Sequence, residues 1–154
     1  MATKELQAGD PAPAIEVLTD ENKPFTLASL KGKQVILYFY PKADTPGCTI
    51  ESNGFRDEAA SIAGKNAVVV GVSPDTCAAQ AKFKTKFGLP FTLLADSEHQ
   101  VAEAYGVWKE KSMYGKTYMG VARTTFLIDE TGKIKKIFTG VKPDGHAQEV
   151  LAAL

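Results

Sequence analysis

Six consecutive apolar residues, Val35-Ile36-Leu37-Tyr38-Phe39-Tyr40, stop abruptly at Pro41, and no other segment constrains the fold as strongly. Branched and aromatic residues without polar alternation predict a strand covered on both faces, so packed layers must lie above and below it. Residues 67–72 repeat the pattern, and 91–95 and 124–128 are shorter versions. Between them, Ile50, Phe55, Ala59 and Ile62 predict an amphipathic helix ending about Gly64. Ser73-Pro74 reads as a cap and first-turn proline opening a helix through Phe87, with Gly88 just past its end. A short helix over 98–105 stops at Gly106. Residues 15–18 read as a short edge strand behind a proline-containing entry loop. Residues 129–132 read as a turn into a paired strand over 133–139, and 144–154 as a final helix with His146, Val150 and Leu154 on one stripe. This order, β-α-β-α-β-α-β-β-α, predicts an α/β sandwich with a mixed central sheet and helices on both faces.

The chain has 154 residues, 44% hydrophobic and 23% charged, which suits one globular domain over 1–154. Eighteen basic side chains balance eighteen acidic ones. With no basic tail or block, nothing offers the phosphate contacts that nucleic-acid binding requires. No apolar run is long enough for a membrane span, and MATKELQAGD lacks the apolar core of a secretory signal. The expected compartment is the cytoplasm, with an organellar form stripped of its transit peptide left open. Two cysteines are too few for a disulfide framework, and His99 and His146 have no metal-ligand spacing, so no metal is expected. Neither phosphate-binding glycine loop occurs, so no nucleotide cofactor is expected.

Chemistry concentrates in Pro41-Lys42-Ala43-Asp44-Thr45-Pro46-Gly47-Cys48, between the central strand and the first long helix. In open α/β sheets, functional groups collect at that strand edge. Thr45-Pro46 is a second cap-plus-proline pair and places Cys48 in the first helical turn. Unpartnered N–H groups there favour an anionic sulfur, the nucleophilic form of a cysteine. The residues alone leave a second reading open, in which Cys48 is a small buried hydrophobe. Likewise Pro41 can simply end a strand, and Arg123, ahead of an apolar strand, can be a solvated charge. Trp108 and His146 read as packing residues.

Pro41-xxx-Thr45-xx-Cys48 resembles the active-site signature of peroxiredoxins. The longer string 38–49 is similar to the branch called bacterioferritin comigratory protein or peroxiredoxin Q. The likeness continues through Gly71-Val72-Ser73-Pro74-Asp75, Gly88-Leu89-Pro90-Phe91, Ala104-Tyr105-Gly106-Val107-Trp108, the stretch 123–129 and Gly145-His146. It implies a thioredoxin-like fold with an N-terminal extension, and reduction of hydrogen peroxide and alkyl hydroperoxides by thiols. It further implies that Cys48 is the peroxidatic nucleophile, that Thr45 contacts peroxide and that Pro41 shields the sulfur. Arg123 would stabilise charge on the sulfur and on the leaving oxygen. Thioredoxin or a small thiol is the implied reductant, and a monomer the implied state.

The sequence departs from this branch in one respect. Asn53 and Lys84 occupy the two positions where its members carry a second cysteine. Cys77 is the only candidate left to resolve a Cys48 sulfenic acid, and a one-cysteine mechanism with an external thiol remains open beside it. Two other classes compete: a thiol oxidoreductase or redox-regulated binding module, and a structural protein that lost the reaction. The first normally spaces its cysteines two residues apart, whereas these stand 77 − 48 = 29 positions apart. The second is opposed by the presence of Thr45, Cys48 and Arg123 together.

Overall fold

The computed structural model describes residues 6–154, apart from the Met113 side chain. In chain order the strands are β1 (Glu16–Thr19), β2 (Pro24–Thr26), β3 (Gln34–Phe39), β4 (Ala67–Ser73), β5 (Thr92–Ala95), β6 (Trp108–Met113), β7 (Lys116–Val121), β8 (Thr124–Ile128) and β9 (Ile134–Phe138). The helices are α1 (Pro46–Asp57), α2 (Ala59–Gly64), α3 (Cys77–Phe87), α4 (Gln100–Ala104) and α5 (His146–Ala153). Seven strands form one mixed sheet in the order β2-β1-β5-β4-β3-β8-β9, and β6 and β7 form a separate hairpin. β3 pairs parallel with β4 and antiparallel with β8, so the apolar run at its centre is covered on every side.

The pleat of β3 divides the core. Ile36, Tyr38 and Tyr40 face Phe55 of α1, Ile62 of α2, Phe83 of α3 and Ala147 and Val150 of α5. Val35, Leu37 and Phe39 face the opposite layer, where Val101 and Ala102 of α4 pack with Tyr105, Val107 and Val121. The predicted α/β sandwich with helices on both faces is therefore observed, in a thioredoxin-type arrangement.

Four local expectations need correction. The strand predicted over 15–18 is not at the edge, because β2 pairs outside it and begins with Pro24, as an edge strand tolerates. The helix predicted to end near Gly64 breaks at Glu58 into α1 and α2. Its buried stripe is Cys48, Glu51, Ser52 and Phe55, while Ile50 is 51% exposed. Ser73 is the last residue of β4 rather than a cap; Thr76 caps α3, its hydroxyl accepting from the Ala79 amide at 3.1 Å. The β6–β7 hairpin was not expected at all. No described helix is long and apolar enough to cross a membrane.

Candidate active site

The β3–β8 register explains why two distant residues meet. Thr124, the first residue of β8, stands opposite Phe39, the last of β3. Arg123, one residue earlier, is thus delivered to the edge where the chain leaves β3 for α1. Its Nη2 donates to Cys48 Sγ at 3.4 Å, and its Nη1 donates to Glu51 Oε1 at 2.9 Å. Gly47 makes this approach possible, since a Cβ there would lie 3.1 Å from Arg123 Nη2 and 3.5 Å from Pro143 Cγ. Cys48 is fully buried.

Thr45 is the N-cap residue of α1 by its extended backbone, yet its side chain makes no cap hydrogen bond. The hydroxyl donates instead to the Lys42 carbonyl at 2.9 Å. The expected side-chain cap is therefore absent, and the oxygen keeps lone pairs with which to accept. Pro46 has no N–H, and the first amide of the turn with an acceptor is Thr49, bonded to Thr45 O at 2.9 Å. The Gly47 and Cys48 amides have no acceptor among the described hydrogen bonds. They leave the positive end of α1 open beside the sulfur. Pro41 follows β3 after Tyr40 and is half-buried, opening the loop that Thr45 closes.

Glu51 was not anticipated. It lies one helical turn after Cys48, on the face that α1 buries, and is 1% exposed. Burial pushes its pKa up to about 7, with the charge and hydrogen bond of Arg123 pulling it down. One carboxylate oxygen is held by Arg123, while Oε2 is buried without a partner. The signal was readable: Cys48, Glu51, Ser52 and Phe55 recur at i, i+3, i+4 and i+7. The exposed Ile50 drew the stripe to the wrong face.

Cys77 is the first residue of α3 and half-buried; both thiols are free. The loops leading into α1 and α3 are joined, because Asp75 Oδ2 accepts from the Ala43 amide at 2.8 Å and from Ser73 Oγ at 2.6 Å. Lys86 of α3 also pairs with Asp44 at 2.9 Å. Lys84, at a position where branch members carry cysteine, instead pairs with the buried Asp20 at 3.2 Å. His146 is buried, its Nε2 2.8 Å from Thr125 Oγ1 and its rings flanked by Phe55 and Phe138, as a packing residue should be. Trp108 packs partly against the core and stacks on His99, with ring centroids 4.1 Å apart.

A buried cysteine at an open helix start, touched by a guanidinium, gathers hydrogen-bond donors around one sulfur. Comparison with known proteins identifies the family. The AhpC/TSA family pattern matches residues 8–137. A putative peroxiredoxin bcp of Coxiella burnetii is 50% identical over 149 residues, covering 97% of this chain and 99% of that protein. The peroxiredoxin Bcp of Bacillus subtilis is 48% identical over 149 residues, covering 97% and 95%. The bacterioferritin comigratory protein of Xanthomonas campestris, solved in a study of its alkyl peroxide reduction activity, superposes with a TM-score of 0.89 at 34% identity, covering 96% of each chain. The chain belongs to the AhpC/TSA family of thiol-dependent peroxidases. Within it, the likeness is to the bacterioferritin comigratory protein or peroxiredoxin Q branch.

Proposed function

We propose that Cys48 is the peroxidatic nucleophile of this thiol-dependent peroxidase, acting on hydrogen peroxide and alkyl hydroperoxides. The observation that carries this reading is the 3.4 Å hydrogen bond from Arg123 to the buried Cys48 sulfur. Sulfur attacks the terminal peroxide oxygen, the O–O bond breaks, and a sulfenic acid forms as the leaving oxygen takes a proton to become water or an alcohol. Arg123 and the Gly47 and Cys48 amides oppose the charge that passes from sulfur to that oxygen. Thr45, its proton committed to Lys42, accepts from the peroxide O–H and fixes its orientation; Pro41 shields the sulfur from water. Cys48→Ser tests the assignment: thiol-dependent peroxide consumption should fall to background with the fold intact. Wild-type turnover in that variant would refute it.

Cys77 then condenses with the sulfenic acid, giving an intramolecular disulfide and one water, which thioredoxin or a small thiol reduces back to two thiols. What supports this is the pairing of the two loops through Asp75, which holds the starts of α1 and α3 on neighbouring parallel strands. Bond formation needs Cα atoms within about 7 Å, so the first turns must loosen. After one equivalent of hydrogen peroxide the monomeric wild type should lose both thiols without dimerising, whereas Cys77→Ser should hold a sulfenic or over-oxidised Cys48. A Cys77 still free to alkylation in the oxidised wild type would leave the external-thiol mechanism in its place. A monomer in the cytoplasm completes the proposed assignment.

A further inference from the structure

The connection from β9 to α5, residues 139–145, is tied down around the active-site arginine. It leaves the sheet after Phe138, which pairs with Thr125 of β8. It returns at His146, whose Nε2 lies 2.8 Å from Oγ1 of the same threonine. Gly140 and Gly145, at φ 57° and 78°, supply left-handed turns near its two ends. Both ends of the loop are thus held at Thr125, two residues after Arg123. Between them the Val141 amide donates to the Arg123 carbonyl at 3.4 Å. Pro143 rests on Gly47, where an added Cβ would stand 3.5 Å from Pro143 Cγ and 3.1 Å from Arg123 Nη2. The proline and the guanidinium therefore crowd one glycine, the residue before Cys48.

His146 closes the neck of this loop. It is 3% exposed, and its ring meets Phe55 of α1 and Phe138 of β9 edge-on. Its Nδ1 lies 3.1 Å from Glu149 Oε1. A carboxylate can only accept, so Nδ1 carries the proton, and in the neutral ring Nε2 accepts from the Thr125 hydroxyl. Burial lowers the His146 pKa, with Glu149 pulling it up and the charge of Arg123 pushing it down, which favours that neutral ring. Thr125 is fully buried, and its hydroxyl has no other partner among the described residues. A third phenylalanine would pack in the same place. The ring nitrogens add direction, fixing α5 to β8 at one point.

We propose that His146 is a positioning residue for peroxide reduction, clamping the 139–145 loop to Thr125 so that Arg123 stays aligned with the Cys48 sulfur. The proposal rests on the peroxidase reading above and adds to it a residue that bonds to neither Arg123 nor Cys48. Arginine has a long flexible stem, and its guanidinium gains alternative positions when Pro143 withdraws from Gly47. Each lost alignment weakens the donor offered to the sulfur and to the leaving oxygen. His146 itself exchanges no proton or electron with the substrate.

The test is a double-mutant cycle, read by single-turnover oxidation of Cys48 with hydrogen peroxide in the reduced full-length protein. His146→Phe keeps the ring packing and deletes the link to Thr125. It should slow oxidation about ten-fold, a fraction of what loss of the arginine costs. His146→Gln, whose amide oxygen can still accept from Thr125, should recover most of that rate. In an Arg123→Ala background His146→Phe should have no further effect, because no guanidinium is left to misplace. General loosening of the fold would instead slow both backgrounds alike. Thr125→Val removes the same link from the other side, should match His146→Phe, and carries the cycle if His146→Phe does not fold. Wild-type rates in the variants lacking the link, equal slowing with and without Arg123, or no recovery in His146→Gln overturns the proposal, while oxidation of Cys48 in the wild type leaves the peroxidase reading standing. A wild-type Cys48 that hydrogen peroxide does not oxidise removes both.

Discussion

The two cysteine-bearing helix starts follow neighbouring parallel strands, and both are led in by threonine, yet they are finished differently. At α3, the Thr76 hydroxyl caps the Ala79 amide. Three residues after Cys77, the buried Gln80 is neutral and satisfied: Tyr40 donates to its Oε1 at 2.6 Å, and its Nε2 donates to Leu94 O at 2.8 Å. At α1, Thr45 turns its hydroxyl away from the helix, and three residues after Cys48 the buried residue is the acid Glu51 with one oxygen unpartnered. The first start is complete as structure. The second leaves two amides and one buried carboxylate oxygen without partners among the described residues, a state that costs stability and that a polar substrate would relieve.

The largest break in this contrast should come from Arg123, which has no counterpart at α3. Removing one oriented donor from a well-formed site costs about 2.7–4 kcal/mol, roughly a hundred- to thousand-fold in rate. Arg123→Ala should slow Cys48 oxidation by hydrogen peroxide to that degree and leave alkylation of Cys77 unchanged. Equal oxidation rates in variant and wild type, measured by rapid mixing, would make the guanidinium a bystander.

Glu51→Gln makes α1 resemble α3. The folded protein holds the Glu51 proton more tightly than the unfolded chain, since its pKa is about 7 against an ordinary 4.5. Both states are protonated below that ordinary value. As pH rises toward 7 the unfolded chain ionises first, so this group's contribution to stability is progressively lost. Glutamine does not titrate. From pH 5 to pH 8, Glu51→Gln should therefore gain stability relative to wild type by about 1–3 kcal/mol. Urea melts at the two pH values check this, and parallel pH profiles would show that the carboxyl is not strained.

The sequence disclosed the central strands because burial on both faces demands continuous apolar residues, as in Val35–Tyr40. It disclosed the Cys48 turn because proline and glycine mark a helix start in any context. Glu51 was hidden by the same logic: a helix that turns polar residues inward for chemistry defeats a search for its apolar face. The hairpin was hidden for another reason. Residues 109–119 are exposed wherever the side chain is described, apart from the half-buried Lys111, so no apolar alternation advertises the strands. Its turn places Tyr114 and Gly115 at φ 53° and 77°, a conformation that tyrosine seldom signals. The residues alone left Arg123 open as a solvated charge, and only the resemblance marked it for the site, because it is the pairing of β8 with β3 that brings it to Cys48.

The smallest effects should separate the two threonines most cleanly. Valine keeps the shape of threonine and deletes the hydroxyl. At position 76 that removes an acceptor from the Ala79 amide, and loss of such a cap costs about 1 kcal/mol. Thr76→Val should therefore lower the urea midpoint and leave the rate of Cys48 oxidation unchanged. At position 45 the hydroxyl caps nothing, and its bond to the Lys42 carbonyl lies in an exposed loop. Thr45→Val should cost no more than about 0.5 kcal/mol of stability, because water can replace a solvent-accessible partner. In the proposed mechanism it removes the acceptor that orients the peroxide O–H, and one such hydrogen bond is worth about 1 kcal/mol, or roughly five-fold in rate. The two variants thus predict opposite pairs of readouts from one chemical change. If Thr45→Val instead lowers stability as much as Thr76→Val and spares the rate, the Thr45 hydroxyl is a cap in solution. The contrast between the two helix starts would then rest on Arg123 and Glu51 alone.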